Sequence, residues 1–483
     1  MVQNGDTREQ VTGGFLWKFA ERITAQLVSF IISLILARIL APDHYGAVAL
    51  VMIFITFANV FVSSGFGNAL IQKKDADETD FSTVLYCSLA ISCVLYILIF
   101  LGAPGIADFY NMPELTPVFR VLGIRLIIAA FNSVQQAYVS KHMLFRCFFW
   151  STLFGTVLSG IVGILLAYCG FGIWALVAQY MVNSIVDTIV LFFTVKWRPK
   201  LLFSFAGLKG LFSYAWKILV SELINTGYVE LRNLVIGKQY SSNDLAFYNK
   251  GQSFPKLVVA NINASLQSVL FPAMSKVQDD IAQVKWMTRR SIRINSYIVV
   301  PLVVGLALVA KPFVGLLLTE AWLPCVPYLQ LYCVFYCLLP IQAANLQAIK
   351  AVGRSDIYLR LEIIKKLIGV GLLLVSLPFG AFSIAAGAVL SNVISALMNV
   401  VPNRKLLGYT YWEQAKDYLN GIVPLLTMIV AVALVGLLPL GNFAMLVLQV
   451  CTGGLVYVAV SYILKLESFV YLLDIVRKFV KRK

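Results

Sequence analysis

Basic side chains inside otherwise apolar segments are the residues of this sequence that could do chemistry. They form two stripes in which successive polar residues are three or four positions apart, so each stripe follows one face of a helix. The members of the first are Lys18, Arg22, Gln26, Ser29 and Ser33, and those of the second are Lys217, Ser221, Asn225, Tyr228 and Arg232. Lysine and arginine bind phosphate and carboxylate oxygens. The stripes therefore predict a cationic cavity that binds an anionic ligand.

The two stripes look like copies of one element. The pair Trp17-Lys18 recurs as Trp216-Lys217, 199 positions later. On the next apolar segment of each copy, Asn59 corresponds to Asn263. Since six predicted spans separate the copies, both have the same orientation. Parallel repeats of this kind occur in transporters that bind substrate between their two halves.

Two further basic residues are candidates for the same cavity. Lys256 precedes Asn263 by seven positions on the eighth predicted span, so both are expected to bind substrate. Arg125 lies on the fourth span, where Asn132 and Gln136 continue its face. Such charges are costly in lipid, about 2.5–3.5 kcal/mol at a helix centre, so they normally face a cavity or a partner.

Acidic residues within the spans are candidates for ion coupling. Gln179, Asn183 and Asp187 are spaced four residues apart on the sixth span, so the Asp187 carboxylate ends a polar stripe. The alternative is that Asp187 is a structural partner for a basic residue or a helix charge near the cytoplasmic end, since it lies about two turns from the predicted inner boundary. Glu222, next to the second basic stripe, is the other candidate.

Motifs for other chemistry are missing from the sequence. There is no G-x-x-x-x-G-K-[ST] phosphate loop, no H-E-x-x-H and no G-x-S-x-G. The two histidines lie in separate connections and the eight cysteines include no C-x-x-C pair, so we predict no metal site and no cofactor. The sequence predicts a transporter rather than an enzyme. A membrane polysaccharide polymerase or glycosyltransferase is the alternative from a different class.

The elements that position these residues are membrane-spanning helices. The chain is 60% hydrophobic and only 13% charged, about half the usual charged share of a soluble protein. Apolar stretches of about 20 residues, long enough to cross a bilayer, recur along the whole sequence. We place fourteen spans at about 15–39, 45–66, 81–101, 117–139, 148–168, 173–194, 211–236, 245–270, 291–310, 325–348, 358–378, 383–402, 419–438 and 443–464.

The distribution of basic residues predicts the topology. Of the 39 Lys and Arg residues, 24 fall in the segments that are inside if the N-terminus is inside, whereas the outer connections hold only Lys238 and Lys311. Basic connections favour the cytoplasmic side. We therefore expect a multi-pass protein of the cytoplasmic membrane with both termini in the cytoplasm. The net charge of +16 reflects these connections and not a nucleic-acid partner.

The fold class that follows is an all-α polytopic membrane protein. The predicted divisions are an N-terminal lobe of spans one to six at 1–210, a C-terminal lobe of spans seven to twelve at 211–402, and two additional spans with a basic tail at 403–483. The two six-helix lobes are expected to be related by the parallel repeat.

Three runs carry a resemblance to a known family. They are Ala37-Arg38-Ile39-Leu40-Ala41-Pro42-Asp43-His44-Tyr45-Gly46, Ala69-Leu70-Ile71-Gln72-Lys73-Lys74-Asp75 and Val269-Leu270-Phe271-Pro272-Ala273-Met274-Ser275-Lys276. In order and spacing they resemble bacterial polysaccharide exporters of the multidrug/oligosaccharidyl-lipid/polysaccharide superfamily, closest to the Wzx-type flippases of O-antigen, capsule and exopolysaccharide synthesis.

The resemblance implies a V-shaped cavity between two lobes. It also implies an undecaprenyl-pyrophosphate-linked oligosaccharide as substrate, moved from the inner to the outer leaflet by alternating access. Expected partners are therefore this lipid-linked saccharide, membrane lipids, H⁺ or Na⁺ as coupling ion, and polysaccharide polymerase machinery. A peptidoglycan-precursor or multidrug exporter of the same superfamily is the alternative within transport.

Overall fold

The computed structural model describes residues 3–63, 65–73 and 75–481, with side chains described outside 3–20, 206, 214, 264–269, 475–476 and 478–481. All regular secondary structure in the described residues is helical. The chain divides into two compact units, Met1–Ala246 and Phe247–Lys483. The first part of the fold prediction, an all-α polytopic protein, is confirmed.

The first unit consists of nine helices and the start of a tenth. They are α1 (Gln3–Ile39), α2 (Pro42–Ser63), α3 (Phe66–Gln72), α4 (Glu78–Tyr110), α5 (Leu115–Gly123), α6 (Arg125–Lys141), α7 (Phe145–Tyr168), α8 (Ile173–Thr194), α9 (Phe205–Gln239) and α10 (Ser242–Ser275). Helices α7 and α8 pack closely at Gly155 of α7. A Cβ atom at this position would lie only 3.3 Å from the Asn183 carbonyl oxygen of α8.

The second unit continues α10 and adds the remaining helices. They are α11 (Ile281–Leu308), α12 (Ala310–Leu317), α13 (Val326–Cys337), α14 (Leu339–Ala351), α15 (Ser355–Ser376), α16 (Ala381–Leu406), α17 (Tyr411–Tyr418), α18 (Ile422–Val435), α19 (Asn442–Ile463) and α20 (Glu467–Lys481). Short 3₁₀ segments at Glu320–Cys325, Leu377–Phe379 and Leu419–Gly421 join them.

Local hydrogen bonds or backbone conformation fix several helix ends in the predicted connections between spans. At the start of α4, the Asp77 side chain accepts from the Asp80 backbone N–H at 2.8 Å and the Asp80 carboxylate accepts from the Asp77 N–H at 3.2 Å, which is a capping box. Thr410 and Glu413 form the same arrangement at the start of α17. Asn111, with φ 55°, ends α4 in the left-handed conformation that asparagine tolerates.

Connections that the sequence assigns to one side of the membrane contact one another within the first unit. On the predicted inner side, Lys141 donates to the Lys73 carbonyl oxygen at 2.5 Å and Tyr86 donates to the Lys200 carbonyl oxygen at 3.0 Å. On the predicted outer side, Lys238 donates to the Phe109 carbonyl oxygen. The grouping of connections agrees with the predicted topology, and the assignment of the inner group to the cytoplasm stays a prediction.

Eleven segments of the described residues are long and apolar enough to cross a membrane. Each of the fourteen predicted spans overlaps at least one of the helices, but the seventh, eighth and eleventh spans, in α9, α10 and α15, are not among those eleven segments. Helices α9 and α15 have 35 and 22 residues, so their charged residues rather than their length set them apart, whereas α10 runs through 264–269, whose side chains lie outside the described residues. The protein is a multi-pass membrane protein. The count of fourteen stays a prediction.

The packing of α9 bears on the predicted lobes. Within the first unit α9 lies against α2, where the backbone at Gly237 approaches so closely that a Cβ atom would be 2.2 Å from Leu50 Cδ2. The unit defined by compactness therefore includes the seventh predicted span. The boundaries at 210 and 402 were inferred from an internal repeat, and they and the repeat stay predictions.

Candidate functional site

A polar cavity of about 350 Å³ lies among α2, α6 and α8 of the first unit. Its walls carry a charged or amide side chain on each helix, although the surrounding helices are apolar. The lining residues that bear polar side chains are Thr56, Asn59, Ser63, Arg125, Asn132, Ser133, Gln136, Asn183, Ser184, Asp187 and Thr188. Because polar groups are costly in a membrane protein interior, this cluster is the candidate functional site.

Arg125, the first residue of α6, lines the cavity. Its Nε donates to Ser184 Oγ at 2.9 Å and its Nη1 lies 3.3 Å from Met52 Sδ. The guanidinium carbon is 5.2 Å from the centre of the Tyr180 ring, a distance at which the cation is attracted to the ring face. These contacts hold the guanidinium in place. Because the contacting groups are neutral, they do not compensate its positive charge.

Asp187 lies on α8 opposite the polar face of α6. Asn132 Nδ2 donates to Asp187 Oδ2 at 2.7 Å and to Thr188 Oγ1 at 3.1 Å, and Gln136 Nε2 donates to Asn132 Oδ1 at 2.5 Å. Among the described residues, none forms an ion pair with Asp187, and Arg125 lies on the same cavity without pairing to it. The partner of the carboxylate is therefore an amide.

The α2 wall adds an unpaired acceptor. Asn59 Oδ1 is buried and has no hydrogen-bond partner among the described residues, while Ser63 Oγ donates to the Asn59 carbonyl oxygen at 2.9 Å. A buried acceptor without a partner costs about 1–3 kcal/mol unless a water, ion or ligand satisfies it. The cavity thus combines a cation, a carboxylate and a free acceptor, and such a set can bind a polar or charged ligand or a small cation.

Two of the residues predicted from sequence are brought together here. Arg125 and Asp187 come from different predicted roles, substrate binding and ion coupling, and both line this cavity. The faces predicted around them, through Asn132 and Gln136 on one helix and Asn183 on the other, also line it.

The basic stripes of α1 and α9 lie elsewhere in the first unit. Arg22, Lys217 and Asn225 are exposed, and Gln26 and Glu222 are half-buried. The Lys18 side chain lies outside the described residues. None of the described stripe residues lines the cavity.

Other stripe residues have local surroundings of their own. Arg232 is half-buried on α9, and its guanidinium carbon lies 5.5 Å from the centre of the Tyr228 ring. In the second unit, Lys256 of α10 is exposed, whereas Asn263 Oδ1 is buried without a hydrogen-bond partner among the described residues. The role of all these residues in substrate binding stays a prediction.

Sequence reasoning missed a charged cluster in the second unit. Asp417 of α17 accepts hydrogen bonds from Arg289 Nε at 2.7 Å, from Arg293 Nε at 2.6 Å and from the Tyr409 hydroxyl at 2.7 Å. Arg293 also donates to Glu467 of α20 at 2.6 Å. The sequence carried one signal for this cluster, since all its members lie in or beside connections that are predicted to be on the same side of the membrane.

Comparison with known proteins adds the family. The family described as "Polysaccharide biosynthesis protein" matches residues 35–327. The chain therefore belongs to this family of polysaccharide biosynthesis proteins, and the resemblance seen in the three short runs is confirmed.

Three relatives extend the similarity beyond the matched segment. The chain is 25% identical over 353 residues to the teichuronic acid biosynthesis protein TuaB of Bacillus subtilis, covering 72% of this chain and 73% of that protein. It is 24% identical over 438 residues to the lipopolysaccharide biosynthesis protein WzxC of Escherichia coli, covering 88% of each. It is 22% identical over 403 residues to the succinoglycan biosynthesis transport protein ExoT of Rhizobium meliloti, covering 83% of this chain and 79% of that protein.

Among solved structures, the chain resembles the lipid II flippase MurJ in an inward closed conformation. The TM-score is 0.76 at 14% identity, and the likeness covers 93% of this chain and 98% of that one. At this identity the likeness shows the fold alone.

Proposed function

We propose that this protein is a flippase that moves an undecaprenyl-pyrophosphate-linked oligosaccharide from the inner to the outer leaflet of the bacterial cytoplasmic membrane. The observation that carries the proposal is the similarity to WzxC over 88% of both chains, together with ExoT, whose name describes a transport protein. The charge distribution supports it, because a pyrophosphate cannot cross about 30 Å of hydrocarbon without cationic or polar partners.

The residues proposed to bind the pyrophosphate and acidic sugars are Lys18, Arg22, Lys217 and Lys256. The exposed positions of Arg22, Lys217 and Lys256 in their units leave their charged groups accessible to a ligand. Arg125, Gln26, Asn225, Arg232 and Asn263 are proposed to add further polar contacts. An arginine can bind two phosphate oxygens at once, so its loss is expected to cost more than the loss of charge alone.

Complementation of a strain that lacks the gene tests this proposal. The deletion should cause lipid-linked saccharide to accumulate on the cytoplasmic side, and the wild-type gene should restore export. Arg22→Ala and Lys217→Ala should each lower export at least about tenfold, which corresponds to about 1.4 kcal/mol of binding. Arg360→Gln, which removes an exposed charge from a helix end, is the matched control and should export normally.

Two results would contradict the proposal in different ways. Full export by charge-reversed Arg22→Glu and Lys217→Glu proteins at normal membrane levels would exclude these residues as the binding site. Normal surface polysaccharide in the deletion strain, with no accumulated intermediate, would exclude the transport function. Accumulation of a peptidoglycan precursor would favour that alternative substrate, and polymer shortening with normal lipid-linked export would favour a polymerase.

We further propose that transport is coupled to H⁺ or Na⁺ through Asp187. The carboxylate is hydrogen-bonded to the Asn132 amide in a cavity that also holds the unpaired Asn59 acceptor, so it can gain or release a cation without breaking an ion pair. Glu222 is the second candidate.

Proteoliposomes with an imposed ion gradient test this coupling. Asp187→Asn should retain the hydrogen-bonding shape but lose gradient-dependent flux, whereas Glu222→Gln should retain it. Undiminished gradient-dependent flux through Asp187→Asn would exclude Asp187 as the coupling group, and loss of flux in Glu222→Gln alone would transfer the role to Glu222.

A further inference from the structure

The connection between α8 and α9 is a second surface that the proposed transport does not use. Residues 195–204 form a non-helical segment on the side predicted to be cytoplasmic. Its apolar side chains are turned outward: Leu201 is 95% exposed, and Phe205, the first residue of α9, is 79% exposed. Phe203 is 47% exposed, and its ring lies edge to face with that of Phe205 at 4.8 Å.

This exposure is held in place by buried anchors and hydrogen bonds. Trp197 is buried, and its ring centre lies 5.9 Å from that of Phe81 and 6.4 Å from that of Tyr138. The Lys200 backbone N–H donates to Ser82 Oγ at 3.2 Å. The chain is therefore fixed at 197 and 200 and projects its apolar side chains from a defined position.

Hydrogen bonds to α4 show how far along this helix the connection lies. The Ser204 backbone N–H donates to Thr83 Oγ1 at 3.0 Å, and Ser82 and Thr83 lie four and five residues after Glu78, the first residue of α4. At a rise of 1.5 Å per residue, the connection therefore contacts α4 about 6–8 Å from the first residue of this helix. Amphipathic segments bound at a membrane surface reach about 5–10 Å into the boundary between headgroups and acyl chains.

The charges along this part of the chain are all positive, and one of them, Lys200, is paired with the exposed Glu78 of α4. Between Asp187 and Glu222 the sequence contains no acidic residue, but it contains Lys196, Arg198, Lys200, Lys209 and Lys217. Lys196 and Lys209 are exposed and flank the apolar run on both sides. Apolar side chains between exposed basic residues are typical of segments that bind an anionic lipid surface.

We propose that the α8–α9 connection is an interfacial anchor that inserts Leu201, Phe203 and Phe205 into the acyl boundary of the cytoplasmic leaflet and binds anionic lipid headgroups through the flanking lysines. The anchor holds the inner end of the first unit at a fixed depth. It depends on the predicted topology but not on the proposed substrate.

The test uses the full chain with a benzophenone amino acid at one position, in nanodiscs that contain equal amounts of phosphatidylglycerol and phosphatidylcholine with the same acyl chains. After illumination, intact-mass spectrometry measures the lipid adducts. Two control positions are available in the described residues. Ile97, exposed within α4, represents bulk lipid, and Gln278, exposed in the connection before α11, represents water.

The expected result is abundant lipid adducts at position 201 and few at 278. The phosphatidylglycerol share at 201 should exceed that at 97 at least about twofold, since one basic residue near an anionic surface contributes about 1 kcal/mol. The same label at Phe205 guards against misfolding caused by the change at Leu201. Lipid adducts at 201 and 205 no more frequent than at 278, or a phosphatidylglycerol share equal to that at 97, would overturn the proposal.

Discussion

Removing the carboxylate of Asp417 should destabilise the second unit more than the loss of any single surface charge. Its side chain has no solvent exposure, and it accepts from Arg289, Arg293 and Tyr409. These partners come from α11 and from the connection before α17, so the carboxylate joins segments 124 to 128 residues apart in the chain. Asp417→Ala removes the acceptor that two guanidinium groups and one buried hydroxyl share, and among the described residues only Arg293 keeps a second acceptor, on the exposed Glu467.

The size of the effect follows from the burial of the partners. Removing one member of a buried ion pair costs about 3–5 kcal/mol. The Arg289 and Arg293 side chains are 32% and 28% exposed, so water screens part of their charge, and the lower end, about 3 kcal/mol, applies. In a unit of this size each kcal/mol lowers the melting temperature by about 2–4 °C. Asp417→Ala should therefore melt about 6–12 °C below the wild type.

Thermal unfolding of the purified protein in detergent, followed by tryptophan fluorescence, measures this effect. Glu467→Gln is the matched control, because Glu467 is the other acidic partner of Arg293. The Glu467 side chain is 77% exposed. An exposed pair contributes about 0–1 kcal/mol, so the control should melt within about 4 °C of the wild type. Equal melting temperatures for Asp417→Ala and Glu467→Gln would refute the reasoning.

Two further predictions concern the same unit. Gly251→Ala should cost about 1–3 kcal/mol, since a Cβ atom there would lie 2.6 Å from Tyr328 Cβ, whereas Gly454→Ala, with open space around it, should be neutral in the same melting assay. Burial and the hydrogen bond to Asp417 raise the pKa of the Tyr409 hydroxyl, so its contribution to stability is complete below about pH 10 and is lost as the pH rises further. The melting-temperature difference between the wild type and Tyr409→Phe should therefore shrink from about pH 8 to about pH 10.5, and a constant difference would contradict this assignment.

Hydropathy predicted the helices well because the bilayer imposes a simple rule. Backbone groups must be satisfied within each span, so a long apolar stretch can only be helical. The rule says less about where a helix ends. Helices α1, α4, α9 and α10 have 33 to 37 residues, more than the roughly 20 needed to cross the bilayer, and their additional turns are polar at one or both ends.

The candidate cavity was predictable in its parts and not as a whole. The spacing of Arg125, Asn132 and Gln136 predicted one polar face, and that of Asn183 and Asp187 predicted another. Periodicity describes each helix alone, so it could not reveal that these faces meet. The Asn132–Asp187 hydrogen bond depends on how α6 packs against α8, and the acids and bases of the Asp417 cluster are likewise brought together only by tertiary packing.

Helices α9, α10 and α15 carry charged residues within predicted spans, which raises the question of what compensates these charges. In α15 the compensation is local, because Lys365 donates to Glu362 at 2.5 Å and both side chains are largely sheltered. In α9 and α10, by contrast, neither Lys217 nor Lys256 forms an ion pair with another described residue, and both are exposed. A lysine inside a span costs about 2.5–3.5 kcal/mol unless water or a ligand solvates it. The unpaired charges of α9 and α10 therefore need a wet or anionic environment, which is what the proposed passage of a pyrophosphate would provide.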